Sequence, residues 1–330
     1  MRVLVTGGAG YVGSISVEVL LAAGHAVVVL DDLATGHRGS VPAEVPLVEG
    51  TYEDAGLLTR TFRDLEIDAV LHCGGRSLVS ESMRDPAAYF ATNVAGGIVL
   101  LDSMRATGVS RIVFSSSAAV YGRPDATPIP EDAPLRPINP YGETKRSFEA
   151  ALTWYGAAYG LRSASLRYFN VAGATDRNGE VHQPETHLIP NILASADGGP
   201  PITLFGDDYE TSDGFAVRDY VDATDLGEAH LAALEATAPG DPRTAASLVC
   251  NLGSGVGFSV REVMAAAERV VGAPLPHEVG PRREGDPAVL VASINRAADV
   301  LGWRPQRSDL ESMIGSAWAW RRAHPEGYSA

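Results

Sequence analysis

The sequence predicts the α/β fold class, with a doubly wound parallel sheet and a smaller C-terminal lobe. Short apolar runs typical of buried strands alternate with helical patterns through the first half of the chain, whereas residues 170–214 are rich in proline and loops. The chain has 330 residues, and single hydrophobic cores stop growing near about 250–300 residues. We therefore expect a sheet domain over residues 1–169, to which segments near 217–255 return, and an interleaved lobe formed mainly by residues 170–330.

Composition and charge argue against several classes of partner. The net charge is −15 and the pI about 4.9, which disfavours nucleic acid and anionic membranes because both attract clustered Lys and Arg. Cys73 and Cys250 each lie in an apolar run, which favours buried thiols in a reduced compartment over a disulfide. The N-terminal sequence reaches glycine after three apolar residues, so no signal peptide fits. We expect a cytoplasmic protein.

A glycine-rich turn, TGGAGYVG at residues 6–13, follows the first predicted strand. Residues 2–6 predict that strand, residues 14–23 a helix and residues 26–30 a second strand. Glycines 7, 10 and 13 would permit a tight turn, a close approach of backbone to a phosphate and close packing of helix on strand, while the helix N-terminus offers free N–H groups. This Rossmann-type pattern predicts a dinucleotide site, and a glycine-rich turn without a ligand is the alternative.

Acidic residues end the second strand, where Asp31 lies 18 positions after Gly13 and precedes Asp32. A carboxylate at this place accepts hydrogen bonds from a ribose 2′-hydroxyl group and repels a 2′-phosphate, so the sequence favours NAD over NADP. His37 and Arg38 follow closely and could compensate a phosphate. We prefer the alternative that both are solvated loop residues.

Further strands place small and polar residues at their carboxyl ends, where open α/β sheets bind ligands. Residues 69–72 predict a strand that leads into Cys73-Gly74-Gly75, and residues 91–104 predict a helix. Residues 111–114 predict a strand followed by Ser115, Ser116 and Ser117. These three serines could serve a ligand or could equally be ordinary turn residues that cap the next element.

Tyr141 and Lys145 lie four positions apart at the predicted start of a helix, so both side chains face one side. The spacing alone is weak, since a half-buried ring beside a solvated amine would produce it. Together with Ser117 and a nicotinamide, however, the pair indicates a proton-transfer site. Tyr141 would take the proton of a carbinol, Ser117 would share the hydrogen bond, and Lys145 with the positive nicotinamide would lower the phenol's pKa from about 10 toward neutrality.

Several stretches carry a family resemblance that runs nearly end to end. They are GGAGYVGS (7–14), DDLATGHR (31–38), FSSSAAVYG (114–122), PYGETK (140–145), RYFNVAGA (167–174), GDDYETSDG (206–214), VRDY (217–220), NLGSGVG (251–257) and PRREGDPA (281–288). The chain thereby resembles the extended short-chain dehydrogenase/reductase superfamily and, within it, the UDP-sugar 4-epimerases. The glycine turn and the Tyr-Lys pair are shared by the whole superfamily, whereas RYFNVAGA, GDDYETSDG, VRDY and PRREGD are far more specific to the epimerases.

The resemblance implies a reaction, a cofactor and an assembly. The expected reaction is epimerisation at C4 of a UDP-hexose, interconverting UDP-glucose and UDP-galactose through a 4-keto sugar, with NAD retained by a homodimer whose contacts include the helix at 91–104. UDP-N-acetylhexosamines, UDP-pentoses and UDP-uronates are alternative substrates. An NAD-dependent alcohol dehydrogenase and a non-catalytic NAD-binding protein are alternatives of other classes. Ala118-Ala119 stands where related 4,6-dehydratases have an acid-base pair, which disfavours elimination.

The resemblance also implies individual contacts. The catalytic residues would be Ser117, Tyr141 and Lys145. Cofactor contacts would come from Gly7, Gly10, Tyr11, Val12, Asp31, Asp32, Thr35, Gly36, Thr51, Tyr52, Cys73, Gly74, Gly75, Asn93, Ser115, Tyr141, Lys145 and Phe169. Substrate contacts would come from Ser117, Tyr141, Asn170, Leu188, Phe205, Arg218, Tyr220, Arg283, Asp286 and Leu290. No metal site is expected.

Within the substrate set, Arg218 and Arg283 would grip the diphosphate, Asp286 the uridine ribose, and Leu290 would line the sugar pocket. The alternatives are surface ion pairing for the arginines, a turn role for Asn170 and a core role for Phe205.

Departures from the family pattern concern cofactor and substrate contacts. They are Ile15 for His, Thr51 for an acidic residue, Ser77 for a lysine that Arg76 could replace, Phe215 for Thr, and Asp222 for His.

Overall fold

The computed structural model of the protein describes residues 1–244, 247–282 and 286–328. Its largest element is a seven-stranded sheet in the order β10-β6-β5-β4-β1-β2-β3, in which all neighbours are parallel. This order reverses between β1 and β4, which makes a crevice at their carboxyl ends. The strands are β1 Arg2–Thr6, β2 Ala26–Asp31, β3 Leu47–Glu49, β4 Ala69–His72, β5 Arg111–Ser117, β6 Arg162–Tyr168 and β10 Ser247–Leu252.

Helices cover both faces of this sheet, and other helices form part of the C-terminal lobe. They are α1 Tyr11–Ala22, α2 Ala55–Asp64, α3 Val79–Arg84, α4 Pro86–Tyr89, α5 Gly97–Thr107, α6 Pro140–Tyr159, α7 Leu188–Ala196, α8 Ala223–Ala236, α9 Val260–Val271 and α10 Leu310–Ala323. Strand side chains at alternate positions enter two core layers. Val3 and Val5 pack in the layer of α1 and α8, and Leu4 in the layer of α2, α5 and α6. Burial on both faces explains why these strands read as continuous apolar runs.

The C-terminal lobe is organised by smaller sheets. Strand β9 pairs with three neighbours, antiparallel with β11 and parallel with β7 and β13, while β8 pairs in parallel with β12. These strands are β7 Asn170–Ala172, β8 Ile202–Phe205, β9 Val217–Asp222, β11 Gly257–Ser259, β12 His277–Gly280 and β13 Val289–Leu290. A third core layer joins α7, α9 and α10 to them. Trp318 and Trp320 pack in the lobe interior, as the core interpretation of these aromatics predicts.

The expected helices and strands of the first half are confirmed, with shifts at their ends. The helix expected at 91–104 is a π-helical turn over Phe90–Gly96 followed by α5. The serines expected after the strand at 111–114 belong to β5 itself. Strand β9 was missed because its sequence, VRDYVD, forms neither an apolar run nor a strict alternation of polar and apolar residues.

One helical stretch, Pro86–Thr107, is long and apolar enough to cross a membrane by length and composition, with a mean hydropathy of 1.2. It is 44% buried inside the fold, and Leu100, Leu101 and Met104 are core residues beside α2. A buried core helix passes the same test of length and apolarity, so this stretch is weak support for a membrane span.

Two histidines lie buried under the crevice. His72 Nδ1 is 2.7 Å from Thr6 Oγ1. The two ring nitrogens of His230 face Ser16 Oγ at 3.0 Å and Ser115 Oγ at 3.4 Å. Burial lowers the pKa of each imidazole to about 3, so both are neutral at pH 7.

Acid is expected to destabilise the fold between about pH 6.5 and pH 3. The unfolded chain protonates these histidines near their ordinary pKa, so it binds more protons than the folded chain in this window. The free energy of unfolding therefore falls as pH falls, by roughly 1.4 kcal/mol per pH unit for each histidine. Urea unfolding at a series of pH values measures this slope. His230→Gln should make it shallower and the exposed His277→Gln should not; equal slopes in all three proteins would contradict the prediction.

Candidate active site

The glycine turn brings the ends of β1 and β4 into direct contact. Gly7 has a φ of 68°, and its N–H group donates to the Leu30 carbonyl oxygen at 2.9 Å. A Cβ atom on Gly7 would lie 2.6 Å from Gly74 Cα, and one on Gly13 would collide with the Gly7 carbonyl oxygen. Glycine is therefore required at 7 and 13 by packing of backbone on backbone, and at 74 because a Cβ atom would lie 2.9 Å from the Tyr52 ring.

The same turn opens helix α1 toward the crevice. Gly10 is its N-cap in an extended conformation, and among the described residues no side chain caps it. Tyr11 and Val12 begin the helix, so their backbone N–H groups are free of intrahelical partners. A Cβ atom on Gly10 would meet its nearest neighbour at 3.4 Å, which leaves the mouth of the turn open. The arrangement fits the pyrophosphate of a dinucleotide.

Asp31 ends β2 beside this turn. Its Oδ2 accepts from Ala9 N and its Oδ1 from Leu33 N, both at 2.9 Å, and burial raises the pKa of the carboxyl group. Each oxygen keeps acceptor capacity beyond one hydrogen bond, which suits ribose hydroxyl groups. Asp32 and Thr35 are exposed on the following loop, and Gly36 approaches Asp31 too closely for a side chain. His37 Nε2 donates a hydrogen bond to the Val181 carbonyl oxygen at 3.1 Å.

The loop after β4 is fixed from below. Asn93 Oδ1 accepts from Arg76 N at 2.8 Å, and its Nδ2 donates to Arg76 O at 3.0 Å and to Thr144 Oγ1 at 3.1 Å. The buried ring of Tyr52 lies under Gly74, and Gly75 packs on Asn93. Asn93 thereby ties the loop to helix α6, and it sits in a π-helical turn, a feature often found at functional sites.

Four further positions lie on this side of the crevice. Thr51 is half-buried beside Tyr52. Arg76, the expected substitute for a family lysine, instead pairs with Glu81 at 3.2 Å, and Ser77 is exposed. Burial raises the pKa of the Cys73 thiol to about 11, so this thiol is protonated and unreactive.

Helix α6 begins where the sequence predicts and carries the proposed proton-transfer pair. Asn139 is the N-cap and accepts from Gly142 N at 2.8 Å, with Pro140 in the first turn. Ser117, at the end of β5, faces the Tyr141 hydroxyl group, and hydrogen bonding with its side chain partly offsets the burial that raises the pKa of the phenol. The helix start thus aims the phenol at the carboxyl edge of the sheet.

Lys145 lies beneath Tyr141 and is buried. Its Nζ donates to the Ser115 carbonyl oxygen at 2.8 Å and lies 4.8 Å from the Phe114 ring centroid and 5.7 Å from that of Tyr141. Burial lowers the pKa of Lys145 to about 8, opposed by Cys73 and Glu149. The backbone carbonyl group of Ser115 therefore holds the Lys145 side chain in place.

The expectation that Lys145 lowers the pKa of Tyr141 needs correction. Burial raises the pKa of Tyr141, and the hydrogen bond with Ser117 lowers it in part. The ammonium group is held at the Ser115 carbonyl oxygen rather than at the phenol, which explains its small influence. Of the two charges expected to lower the pKa of Tyr141, only the positive nicotinamide would still do so.

A continuous path of strand registers joins this edge to the lobe. Ser117 pairs with Tyr168, Phe169 is buried between β6 and β7, and Asn170 pairs with Tyr220 in β9. The Asn170 Nδ2 atom donates to the Asp219 carbonyl oxygen at 3.2 Å. Asn170 is exposed, so its side chain remains accessible at the joint of the two sheets.

Strand β9 gathers several of the expected substrate residues. Arg218 pairs in register with Leu290, and its Nη2 donates to Asp286 Oδ1 at 2.8 Å. Arg218 and Asp286, assigned to different parts of a ligand by the sequence, thus contact each other. Tyr220 is buried and Leu290 half-buried. Arg283 lies outside the described residues.

Two expected substrate residues belong to the rest of the lobe. Leu188 is the first residue of α7 and packs on the lobe core. Phe205 ends β8, opposite Gly280. The structure does not link either of them to the Arg218 group by a described contact.

The sequence did not lead us to predict a buried ionic network that lies under the crevice. Arg167 on β6 pairs with Glu149 on α6, with Nη2 to Oε2 at 2.5 Å and Nε to Oε1 at 2.9 Å. Ser116 also donates to Glu149 Oε1, and Arg167 donates to the Tyr121 hydroxyl oxygen at 2.9 Å. Two signals could have revealed it: a charged residue inside a strand expected to return to the buried sheet, and a carboxylate four positions after Lys145.

Comparisons with known proteins agree with this arrangement. A profile of the NAD dependent epimerase/dehydratase family matches residues 3–252. The chain is 49% identical over 331 residues to a UDP-glucose 4-epimerase of Lactobacillus helveticus, with 99% of each chain covered. A crystal structure of a UDP-glucose 4-epimerase superposes with a TM-score of 0.96 at 42% identity and 100% coverage of both chains. That of the Brucella ovis UDP-glucose 4-epimerase in complex with NAD gives a TM-score of 0.92 at 42% identity, covering 96% of this chain and 97% of that chain.

The crevice between β1 and β4, with a tyrosine-lysine helix on its rim, defines an NAD-dependent enzyme of the short-chain dehydrogenase/reductase type, and the chain belongs to the NAD dependent epimerase/dehydratase family. Within that family its similarity extends over the full length of UDP-glucose 4-epimerases. The resemblance inferred from the sequence motifs is therefore confirmed.

Proposed function

We propose that the protein interconverts UDP-glucose and UDP-galactose by NAD-dependent epimerisation at C4. The observation that carries this proposal is the placement of Tyr141 beside Ser117 and over buried Lys145, at the same sheet edge as the glycine turn. The full-length similarity to UDP-glucose 4-epimerases supports the substrate class. The chemistry needs a proton acceptor near a carbinol and a bound dinucleotide; this edge holds the Tyr141 phenol and a glycine turn whose shape fits a pyrophosphate.

Tyr141 would remove the proton from the C4 hydroxyl group of the sugar as hydride leaves C4, and it would return the proton when the 4-keto sugar is reduced on its opposite face. Ser117 would hold the same sugar oxygen by a second hydrogen bond. The glycine turn and Asp31 would hold NAD, which would supply reversible hydride chemistry at C4 with no net oxidation. Lys145 would hold positive charge under the phenol when protonated, and its pKa of about 8 keeps it largely protonated at pH 7.

The substrate side would use the residues gathered on β9. Arg218 would bind the diphosphate, exchanging part of its ion pair with Asp286 for phosphate oxygens. Asp286 would then be released toward the uridine ribose, and Asn170 would contact the sugar or the diphosphate. Leu188 and Phe205 would complete the UDP site from the lobe, as would Arg283. Ala118 and Ala119 offer no proton carriers beside Ser117, which disfavours elimination.

The preferred sugar would depend on the space beside Leu290. This side chain is half-buried on β13, next to Arg218. A leucine is intermediate between small residues that admit N-acetyl groups and large residues that exclude them. UDP-N-acetylhexosamines, UDP-pentoses and UDP-uronates are therefore the second candidates.

Product analysis tests the function directly. Purified protein is incubated separately with UDP-galactose, UDP-N-acetylgalactosamine and UDP-galacturonate, without added cofactor, and the products are identified by NMR. We expect UDP-glucose from UDP-galactose, with no accumulation of NADH absorbance. Turnover of none of the three sugars after NAD is supplied would refute epimerase function, and stoichiometric ketone with NADH would identify a dehydrogenase.

We propose that the protein forms a homodimer and that it is located in the cytoplasm. Phe90 and Trp154 are 40% and 72% exposed on the stretch before α5 and on α6, and burial of such aromatics favours association. Both cysteines, Cys73 and Cys250, are free thiols, which suits a reduced compartment. Light scattering should give about twice the 34.7 kDa of one chain; the mass of a monomer would contradict the dimer.

A further inference from the structure

Four potential metal ligands converge in one short segment that the proposed reaction does not use. Glu180, His182, Glu185 and His187 each point one ligand atom to a common centre, and these atoms all lie within 4.8 Å of one another. The four residues fall within the eight-residue sequence EVHQPETH. Among the residues that the structure describes, no other group of histidine, cysteine, aspartate or glutamate ligand atoms converges in this way.

Four distances between histidine and carboxylate atoms lie near those between the ligands of a tetrahedral site. His187 Nδ1 lies 2.8 Å from Glu180 Oε1 and 2.9 Å from Glu185 Oε1. His182 Nδ1 lies 3.0 Å from Glu180 Oε1 and 3.7 Å from Glu185 Oε2. Tetrahedral bonds of about 2.0–2.1 Å to nitrogen and oxygen separate neighbouring ligands by about 3.3 Å. The four distances bracket this value, whereas ligand atoms at the 4.8 Å limit of the cluster would have to approach each other by roughly 1.5 Å to bind one ion.

The site lies between the glycine turn and the start of α7. The His182 ring contacts the Tyr11 ring edge-on, with centroids 6.4 Å apart. His37, which follows the Asp31 loop, reaches the Val181 carbonyl oxygen at 3.1 Å. His187 is the N-cap residue of α7. Fixing the segment 180–187 would thus connect the cofactor side of the crevice to the substrate lobe.

Protons are the rival occupants of the cluster. Burial lowers the pKa of both histidines, but hydrogen bonds with Glu180 and Glu185 outweigh it and raise the pKa to about 9 for His182 and about 10 for His187. Two imidazolium groups would then face two carboxylates as plain ion pairs. Both arrangements use the same four residues, so metal uptake distinguishes them.

We propose that Glu180, His182, Glu185 and His187 form a structural site for a divalent transition-metal ion, with Zn²⁺ as the best fit. Two imidazoles exclude Mg²⁺ and Ca²⁺, which take oxygen ligands. Two nitrogen and two carboxylate ligands in a tetrahedron suit Zn²⁺. All four positions are filled by protein, as in structural rather than catalytic zinc sites. The proposal is independent of the reaction, because none of the four residues is assigned to the proton transfer.

Metal uptake by the purified, untagged protein tests the site. The protein is stripped with a chelator, titrated with Zn²⁺ by calorimetry and, separately, with Co²⁺ followed by visible absorption. We expect about one equivalent per chain, an intense tetrahedral Co²⁺ spectrum and a Tm that rises with Zn²⁺ concentration. His182→Gln and Glu185→Gln should each weaken Zn²⁺ binding by tenfold or more, since even outer partners of metal ligands change affinity by about 10–100-fold.

The matched control is His277→Gln, which removes an exposed histidine from β12 and should bind Zn²⁺ like the unaltered protein. Circular dichroism without metal shows whether each variant folds; if His182→Gln does not, Glu185→Gln carries the comparison. No uptake at micromolar Zn²⁺ would overturn the proposal in favour of ion pairs, as would equal binding by a folded ligand variant. The NMR assay of epimerisation is run separately, so a failed metal site and a failed function are distinguished.

Discussion

Tyr141→Phe is expected to lower kcat for 4-epimerisation by about 10²–10⁴-fold, the usual contribution of a positioned proton carrier. The variant keeps the ring that packs over Lys145 and removes the hydroxyl group that contacts Ser117. Because burial raises the pKa of this phenol, kcat of the unaltered enzyme should increase as pH rises above neutrality, and the residual rate of the variant should lose that increase. Initial rates with UDP-galactose across a pH series measure both effects.

Tyr159→Phe is the matched control, since it removes a hydroxyl group from the far end of the same helix, where the ring is 57% exposed. Its kcat should equal that of the unaltered enzyme. Unfolding curves for both variants show whether the fold is kept. An unchanged kcat in Tyr141→Phe would remove Tyr141 from the mechanism.

Arg167→Leu is expected to lower the free energy of unfolding by about 3–5 kcal/mol, because it leaves the Glu149 carboxylate buried without its partner. The side chains of Arg167 and Glu149 are 5% and 7% exposed, so water cannot replace the lost bonds. The Tyr121 hydroxyl group also loses a donor. Urea unfolding at pH 7 measures the change.

An exposed ion pair supplies the comparison. Arg269→Leu breaks the pair with Glu311, whose side chains are 60% and 58% exposed, and should cost less than about 1 kcal/mol. Adding Glu149→Leu to Arg167→Leu should recover part of the stability, since the unpaired charge is then gone. A loss for Arg167→Leu no larger than that for Arg269→Leu would show that the network does not hold the sheet to α6.

The nucleotide-binding half of the fold could be predicted from the sequence because its strands are buried on both faces. Runs such as residues 2–6 and 69–72 therefore appear in the sequence with almost no polar interruption. The lobe was harder. β9 mixes polar and apolar residues without a regular alternation, and β7 contributes only three residues to its sheet. Such strands are defined by their partners, and a single sequence does not show the partners.

The candidate site divides in the same way. Tyr141 and Lys145 could be assigned from spacing on one helix, whereas the Arg218–Asp286 pair joins residues 68 positions apart. The effect of Lys145 on the pKa of Tyr141 could not be predicted from the sequence. It depends on the position of the Ser115 carbonyl oxygen, which accepts a hydrogen bond from the Lys145 ammonium group. The cluster at residues 180–187 has a compact sequence pattern, but a loop-rich context gave no reason to expect convergence.

The one-residue joint at Phe169 makes this part of the chain intolerant of insertions. β6 ends at Tyr168 and β7 begins at Asn170, so the two sheets share one extended backbone. Phe169 N also donates to the Leu252 carbonyl oxygen at 3.0 Å, which anchors the joint to β10. Because side chains alternate along a strand, one added residue would turn those of β7 to the opposite face. Insertions and deletions among homologues should therefore avoid this joint and gather in the exposed turns near Gly198 and Gly240. A Cβ atom added at either glycine would have no neighbouring atom within 4 Å.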